Sequence, residues 1–227
     1  MRTIIILVSL ALLSCQSKIN TTQNTKTDFK IYPYIPDSLI AQSEPLKEMK
    51  RSADFFNLPV LYKGINDSLE IRVWPWEAFD FFKKAFVFEH DGVNWKGVYY
   101  FSYTMPIFDQ DGKMMTFLDA KKIGDSVFLV KEITPKCGWQ NFADSLAYYE
   151  ILTLPTQYDI KGFEHKAIMD GDAVSFEIAT RTSYRILGYG NPSVYKYREC
   201  KMVTGFLNML QQQFSEQFKW EETIFSK

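Results

Sequence analysis

Short runs of β-branched and aromatic residues constrain this chain most, because they are typical of strands rather than helices. The runs are SLEIRVWPW at 68–76, KAFVFEH at 84–90, WKGVYYFSYTM at 95–105, KMMTFLDA at 113–120 and SVFLVKEIT at 126–134. Turn signals separate them, with HDGVN after the second run and KKIGD before the last. The pattern therefore predicts an antiparallel meander.

Three other segments have helical spacing of their apolar residues. The first begins near Ser43, has Pro45 in its first turn and ends at Asn57; the second is stopped by Pro155; the third covers about 197–218. A hairpin, AVSFEIAT followed by SYRILGYG, stands between the last two helices. We therefore predict an α+β domain in which an antiparallel sheet, a meander plus a C-terminal hairpin, is covered on one face by helices.

The strands place apolar or aromatic residues on both faces more often than a half-solvated sheet requires. One face must meet the helices, and the other then carries tyrosines whose hydroxyls need water or a partner. That second face is either a surface for a ligand or protein, or the floor of a thicker core with a further element on top. The sequence slightly favours the further element.

The register of the C-terminal hairpin decides where its charged residues lie. A three-residue connection at 181–183 puts Glu177 and Arg185 on one face as diagonal neighbours. A two-residue turn separates them, because register parity sets the face. In the first register the two residues have two possible roles. They form an ion pair that stabilises the hairpin, which is the favoured interpretation, or they are part of a recognition cluster. The members of that candidate cluster are Glu177, Arg185, Tyr189, Tyr99 and Tyr103.

The chain begins with a leader. Arg2 precedes an apolar stretch at 4–13, which has the length of a secretory signal core and is too short to span a bilayer. The stretch Leu12-Leu13-Ser14-Cys15 resembles the lipobox of bacterial lipoproteins. The resemblance implies that 1–14 is a signal peptide that is removed, and that the sulfur of Cys15 then carries a diacylglycerol.

The polar segment that follows cannot bury a core, so 15–28 is predicted to be a lipidated cysteine with a flexible tether and 29–227 a single domain. Acyl chains contribute about 0.8 kcal/mol per buried methylene, which makes such an anchor stable. The resemblance implies the bacterial cell envelope, and Gln16 rather than Asp after the cysteine favours the outer membrane, facing the periplasm. The whole chain resembles lipoproteins that Bacteroidota encode. This resemblance rests on the leader and the general composition, and it does not identify any catalytic residue.

Charge and cysteine content limit the function classes further. A formal net charge of −1 provides no basic face, which argues against nucleic acid as a partner. Cys137 and Cys200 remain besides the anchor. In an oxidising compartment they are either a disulfide or two separate thiols, and the second interpretation is favoured.

Signals for catalysis and metal binding are weak. The two histidines, His90 and His165, show no metal-ligand spacing, and neither G-x-S-x-G nor a glycine-rich phosphate loop occurs. We expect no cofactor and no metal. The sequence favours a non-catalytic binding or interaction domain, with an envelope protein or a glycan as partner. The alternative is an envelope hydrolase or transferase with a site around Glu177, Arg185 and His165.

Overall fold

The computed structural model describes residues 41–77, 82–104, 111, 126–164, 166, 168 and 171–215. A six-stranded antiparallel sheet runs in the order β4-β3-β2-β1-β5-β6. The predicted α+β class, with a meander plus a C-terminal hairpin, is confirmed. The strands are β1 Leu69–Glu77, β2 Phe82–His90, β3 Trp95–Thr104, β4 Ser126–Ile133, β5 Asp172–Thr180 and β6 Tyr184–Gly190. The run predicted at 113–120 lies outside the described residues.

Three α-helices accompany the sheet: α1 Glu44–Phe56, α2 Trp139–Tyr148 and α3 Arg198–Phe214. Helix α1 has its predicted ends, with Ser43 extended at its N-cap and Asn57 in the left-handed region at φ 56°. Helix α2 is shorter than predicted, because Glu150 at φ 54° turns the chain before Pro155. None of the described helices has an apolar stretch of the length that a bilayer-spanning segment needs.

Helices α2 and α3 pack on one face of the sheet and form the larger core with it. Phe88 on β2 lies 4.6 Å from Phe142 on α2, between ring centres, and Phe176 on β5 lies 5.9 Å from Phe206 on α3. All four side chains are fully buried. This core is what the helical spacing of the two segments predicted.

Helix α1 packs on the opposite face. Met49 and Phe56 from the helix form a second buried cluster with Trp74 of β1 and Ala85 of β2. The rings of Phe56 and Trp74 stack with their centres 6.1 Å apart. The second face is therefore covered in part by a further element, the interpretation that the sequence slightly favoured.

The β5–β6 hairpin has the second of the two registers that the sequence left open. Thr180 N–H donates to the Ser183 carbonyl at 2.8 Å, which closes a two-residue turn rather than a three-residue connection. Glu177 pairs with Ile186 and Ile178 pairs with Arg185. Directly paired residues share a face, so Glu177 and Arg185 lie on opposite faces of the sheet. The diagonal pair of Glu177 and Arg185, which required the first register, is therefore not formed.

Candidate functional site

The predicted recognition cluster does not assemble. Tyr99 and Tyr189 are each 1% exposed and lie in the core on the α2–α3 face. Arg185 shares that face and donates to the carbonyls of Leu152 and Leu154. Its guanidinium therefore holds the segment that follows α2 against the hairpin.

The remaining predicted site residues divide between the other face and the undescribed part of the chain. Glu177 lies on the α1 face of the sheet. Tyr103 pairs through its backbone with Phe82 on β2, and its side chain lies outside the described residues. Cys15 and His165 also lie outside them. The pair Glu177 and Arg185 thus cannot form the centre of the predicted hydrolase or transferase site.

Glu177 is instead the acceptor in a buried hydrogen-bond network on the α1 face. Its side chain is 1% exposed. Trp74 Nε1 donates to its Oε2 at 3.0 Å, and the Tyr184 hydroxyl donates to its Oε1 at 2.8 Å. The carboxylate is therefore satisfied from both neighbouring strands, β1 and β6, which is what a buried carboxylate requires.

A buried ion pair stands beside it. Arg72, which is opposite Glu177 in the β1–β5 register, is 1% exposed and donates from Nε to Glu70 Oε1 at 2.8 Å. Its Nη1 has no hydrogen-bond partner within the described part of the chain. One guanidinium thus faces two buried carboxyl groups. We call Glu70, Arg72, Trp74, Glu177 and Tyr184 the buried network.

Burial dominates the titration of the network. Burial raises the pKa of Glu177, although the charge of Arg72 and the hydrogen bonds from Tyr184 and Trp74 lower it. Burial likewise raises the pKa of Glu70 against the opposing effect of Arg72. Burial, followed by the charge of Glu177, raises the pKa of the Tyr184 hydroxyl, which therefore stays a proton donor. The carboxyls of the network take up protons more readily than surface carboxyls do.

An acidic group adjoins the network. One carboxylate oxygen from each of Asp67, Glu70 and Glu89 lies within 4.8 Å of the other two. Three carboxylates this close together could bind a cation, but Arg72 already forms an ion pair with Glu70. We assign no metal to it.

A cavity of about 310 Å³ opens where α1 meets β1 and β2. Phe55 and Phe56 line it from the helix, and Trp74 and Trp76 line it from the sheet. Trp74 and Trp76 lie on one face of β1 because they are two residues apart. We call this space the α1 cavity. Its volume is at the lower end of the range for small-molecule pockets, about 300–1,000 Å³.

Charged groups of both signs line the α1 cavity, Glu48 and Arg51 from the helix and Lys83 from strand β2. Lys83 Nζ lies 4.0 Å from the centre of the Trp76 ring. Arg51 Nη1 lies 3.2 Å from Glu48 Oε2 across the helix side of the cavity. Lys84 also borders the cavity, but it pairs with Phe101 of the α2–α3 core, so its side chain lies on the opposite face of the sheet.

Trp74 joins the buried network to the α1 cavity. Its indole N–H is held by Glu177, while its ring lines the cavity and stacks on Phe56. The hydrogen bond fixes the orientation of a large planar side chain, so this wall is preorganised. This role of Trp74 was not predicted from the sequence, although the alternation in VWPW at 73–76 puts both tryptophans on one face.

The two cysteines of the domain are free. Cys200 is buried in α3, where burial raises the pKa of its thiol, and Cys137 is half-buried before α2. The disulfide that the sequence left open is absent from the structure, and the favoured interpretation of two separate thiols agrees with it.

Comparison of the chain with protein-family models, with curated proteins and with solved structures gave no match.

Proposed function

We propose that this chain is a lipid-anchored protein of the bacterial cell envelope whose domain binds a small ligand, without catalysis, in the α1 cavity. The observation that carries the binding role is the cavity itself, about 310 Å³ with four aromatic side chains in its walls. Aromatic walls bind through apolar contact and stacking, and the fixed orientation of Trp74 reduces the entropy lost on binding.

The cellular location in this proposal rests on the leader sequence. Residues 1–14 are removed, Cys15 carries the lipid, and the domain faces the periplasm from the outer membrane. Mass spectrometry of the N-terminal peptide from native membranes tests this part. A diacylated Cys15 is expected, and a bare Cys15 or a retained Met1 overturns the anchor.

The size of the cavity favours a small molecule over a protein as its occupant. A protein partner needs an extended contact surface of about 800 Å² on each side. A sugar ring from an envelope glycan remains compatible, because its apolar face can stack on an aromatic wall.

A cavity-filling variant tests the binding role. Ser52 is buried on α1 and lines the cavity, so Ser52→Leu should occupy part of the space and weaken binding of a neutral fluorescent probe, N-phenyl-1-naphthylamine. Asp54→Leu is the matched control, because it puts the same side chain on an exposed position of the same helix. Equal probe affinity of the two variants, both folded by circular dichroism, would overturn the cavity as the binding site.

A further inference from the structure

A second cavity, of about 550 Å³, adjoins the α1 cavity where the first half of α1 faces strands β5 and β6. Glu48 and Trp76 line both cavities. In the sheet, Trp74 of the α1 cavity pairs directly with Ser175 of the second cavity, so the two floors are neighbouring positions on one sheet face. The two cavities together follow the underside of α1, and we call them the α1 groove.

Polar side chains in the wall of the second cavity already have partners within the protein. Thr156 Oγ1 donates to the Gly188 carbonyl and accepts from the Gly188 N–H, both at 3.2 Å. The two carboxylates of the wall, Glu44 and Glu48, each form an ion pair with the cation three positions further along the helix. A ligand rich in hydroxyl groups, such as a sugar, would compete with these contacts for its hydrogen bonds.

Apolar side chains form the rest of this wall and continue the aromatic wall of the α1 cavity. Pro45 and Met49 contribute from α1, and Ile186 contributes from β6. The flexible thioether of a methionine adapts its shape to a neighbouring apolar group. The α1 groove therefore offers mainly apolar contact along its whole length.

The length of the groove favours an extended ligand. Helix α1 has 13 residues and therefore runs about 20 Å at 1.5 Å per residue. An extended chain advances about 1.2 Å per bond, so roughly fourteen to sixteen carbons lie along the helix. A methylene has about the size of a water molecule, close to 30 Å³, so the α1 cavity alone accommodates about ten carbons.

We propose, on the basis of the binding role above, that the α1 groove takes one unbranched acyl chain. One end of the chain packs against Trp74 and Trp76 in the α1 cavity, and the remainder lies along Met49 and Ile186 in the second cavity. Lipids and free fatty acids of the envelope both supply such a chain. The contact is apolar and requires no free polar group in the wall.

A chain-length series tests the inference. Saturated fatty acids of 8 to 16 carbons, below their micelle concentrations, displace N-phenyl-1-naphthylamine from the protein. The head group is constant, so differences in affinity report the chain. Each added methylene should tighten binding about twofold to fourfold up to fourteen carbons or more, because it is partly or fully buried. Affinity that stops rising at about ten carbons overturns the inference, and so does the absence of displacement by every member.

Two further competitors distinguish the occupants. Cellobiose represents a glycan, and its displacement of the probe without displacement by the fatty acids overturns the inference. Hexadecanoate and 1-palmitoyl-lysophosphatidylethanolamine carry the same chain. Tighter binding of the lysophospholipid assigns the chain to a lipid, tighter binding of the acid assigns it to free fatty acids, and both results support an acyl chain as the ligand.

Variants then test whether the chain reaches the second cavity. Ser175 lies beside Gly188 on β6, which leaves room for a larger side chain, so Ser175→Leu should fill part of the second cavity only. Decanoate should bind as to wild type, and the gain of hexadecanoate over decanoate should fall to about twofold or less. Ser193→Leu, at an exposed serine, is the matched control and should keep the full gain. Ile186→Phe is the second filling variant, and a full gain in either folded filling variant overturns the inference.

The two proposals fail differently. If N-phenyl-1-naphthylamine binds and Ser52→Leu blocks it while affinity does not rise with chain length, only the acyl-chain inference is wrong. If Ser52→Leu leaves the affinity for the neutral probe unchanged, the α1 cavity is not the binding site and both proposals are wrong.

Discussion

The hydrogen bond between Trp74 and Glu177 is the contact whose removal tests most directly how the α1 face is organised. The perturbation is a double-mutant cycle of Trp74→Phe, Glu177→Leu and the double variant. Trp74→Phe removes the indole donor while keeping a ring in the wall. Glu177→Leu removes the acceptor at similar volume, so each single variant leaves one buried polar group without this partner.

The expected magnitude follows from the burial and the geometry. Both side chains are 1% exposed and the bond is 3.0 Å long. A hydrogen bond to a charged group contributes about 1.5–3 kcal/mol. Trp74→Phe also loses apolar contact, so it should lower the free energy of unfolding by about 3 kcal/mol in total. In the double variant neither group is stranded, and the coupling energy should be about 1.5–3 kcal/mol.

Urea unfolding followed by far-ultraviolet circular dichroism provides the four free energies of unfolding. The control cycle combines Glu177→Leu with Trp139→Phe. Trp139 lies on α2, on the opposite face of the sheet, where it stacks on Trp95. Distant sites add to within about 0.5 kcal/mol, so this control should show no coupling.

Two results would contradict the reasoning. A Trp74–Glu177 coupling below about 0.5 kcal/mol, equal to the control, would show that the bond does not stabilise the fold. A folded Trp74→Phe variant that binds N-phenyl-1-naphthylamine with wild-type affinity would show that the hydrogen bond does not organise the cavity wall.

Three further predictions concern the same elements. Burial raises the pKa of folded Glu177, so its contribution to stability is present below about pH 4.3 and is lost as the pH rises through the folded pKa. In urea unfolding, Glu177→Gln should therefore gain stability relative to wild type as the pH rises above about 4.3. Parallel pH profiles of the two proteins would contradict this. Arg72→Met should lower the free energy of unfolding by about 3–5 kcal/mol, because it leaves the buried carboxyl of Glu70 without its cation. The double variant Arg72→Met with Glu70→Met should recover at least half of this loss in urea unfolding. Equal losses in the two variants would argue against a stabilising Glu70–Arg72 ion pair. Gly205→Ala should destabilise α3 by about 1–3 kcal/mol in thermal unfolding, because the added Cβ would lie 2.6 Å from Tyr149 Cε1. In a Tyr149→Ala background the same change should stabilise, as alanine normally does in a helix.

Local signals explain why much of the fold is predictable. The start of α1 beside Ser43 and Pro45 and its end at Asn57 depend on residues within one turn of each boundary. The meander depends on strand composition and on turns between neighbouring strands, such as the one that follows His90. These features require no knowledge of distant parts of the chain.

The site is harder to predict because it depends on register and on distant partners. The sequence left a three-residue and a two-residue connection open at Arg181, and the two-residue turn that forms puts Glu177 and Arg185 on opposite faces. Nothing near Glu177 in the sequence shows that it is buried, since its partner Trp74 is 103 positions away. Strand β5 pairs with β1 rather than with its neighbour in sequence β4, and composition alone does not specify that pairing.

Stability alone does not account for the charges beneath α1. A buried ion pair replaced by apolar residues of similar volume often leaves a protein equally stable or more stable, by about 1–4 kcal/mol. The buried charged side chains among the described residues, Glu70, Arg72 and Glu177, all lie on the α1 face, whereas the core on the α2–α3 face is built around apolar side chains. Local departures from such rules are expected at functional sites. The position of Trp74 provides the reason here, because Glu177 fixes a ring that forms the cavity wall and Arg72 balances the charge of that carboxyl. A variant with Glu177→Leu, Arg72→Met and Glu70→Met together leaves no buried carboxyl without its cation, so it should fold but bind N-phenyl-1-naphthylamine weakly. Unchanged affinity would assign the network to folding alone.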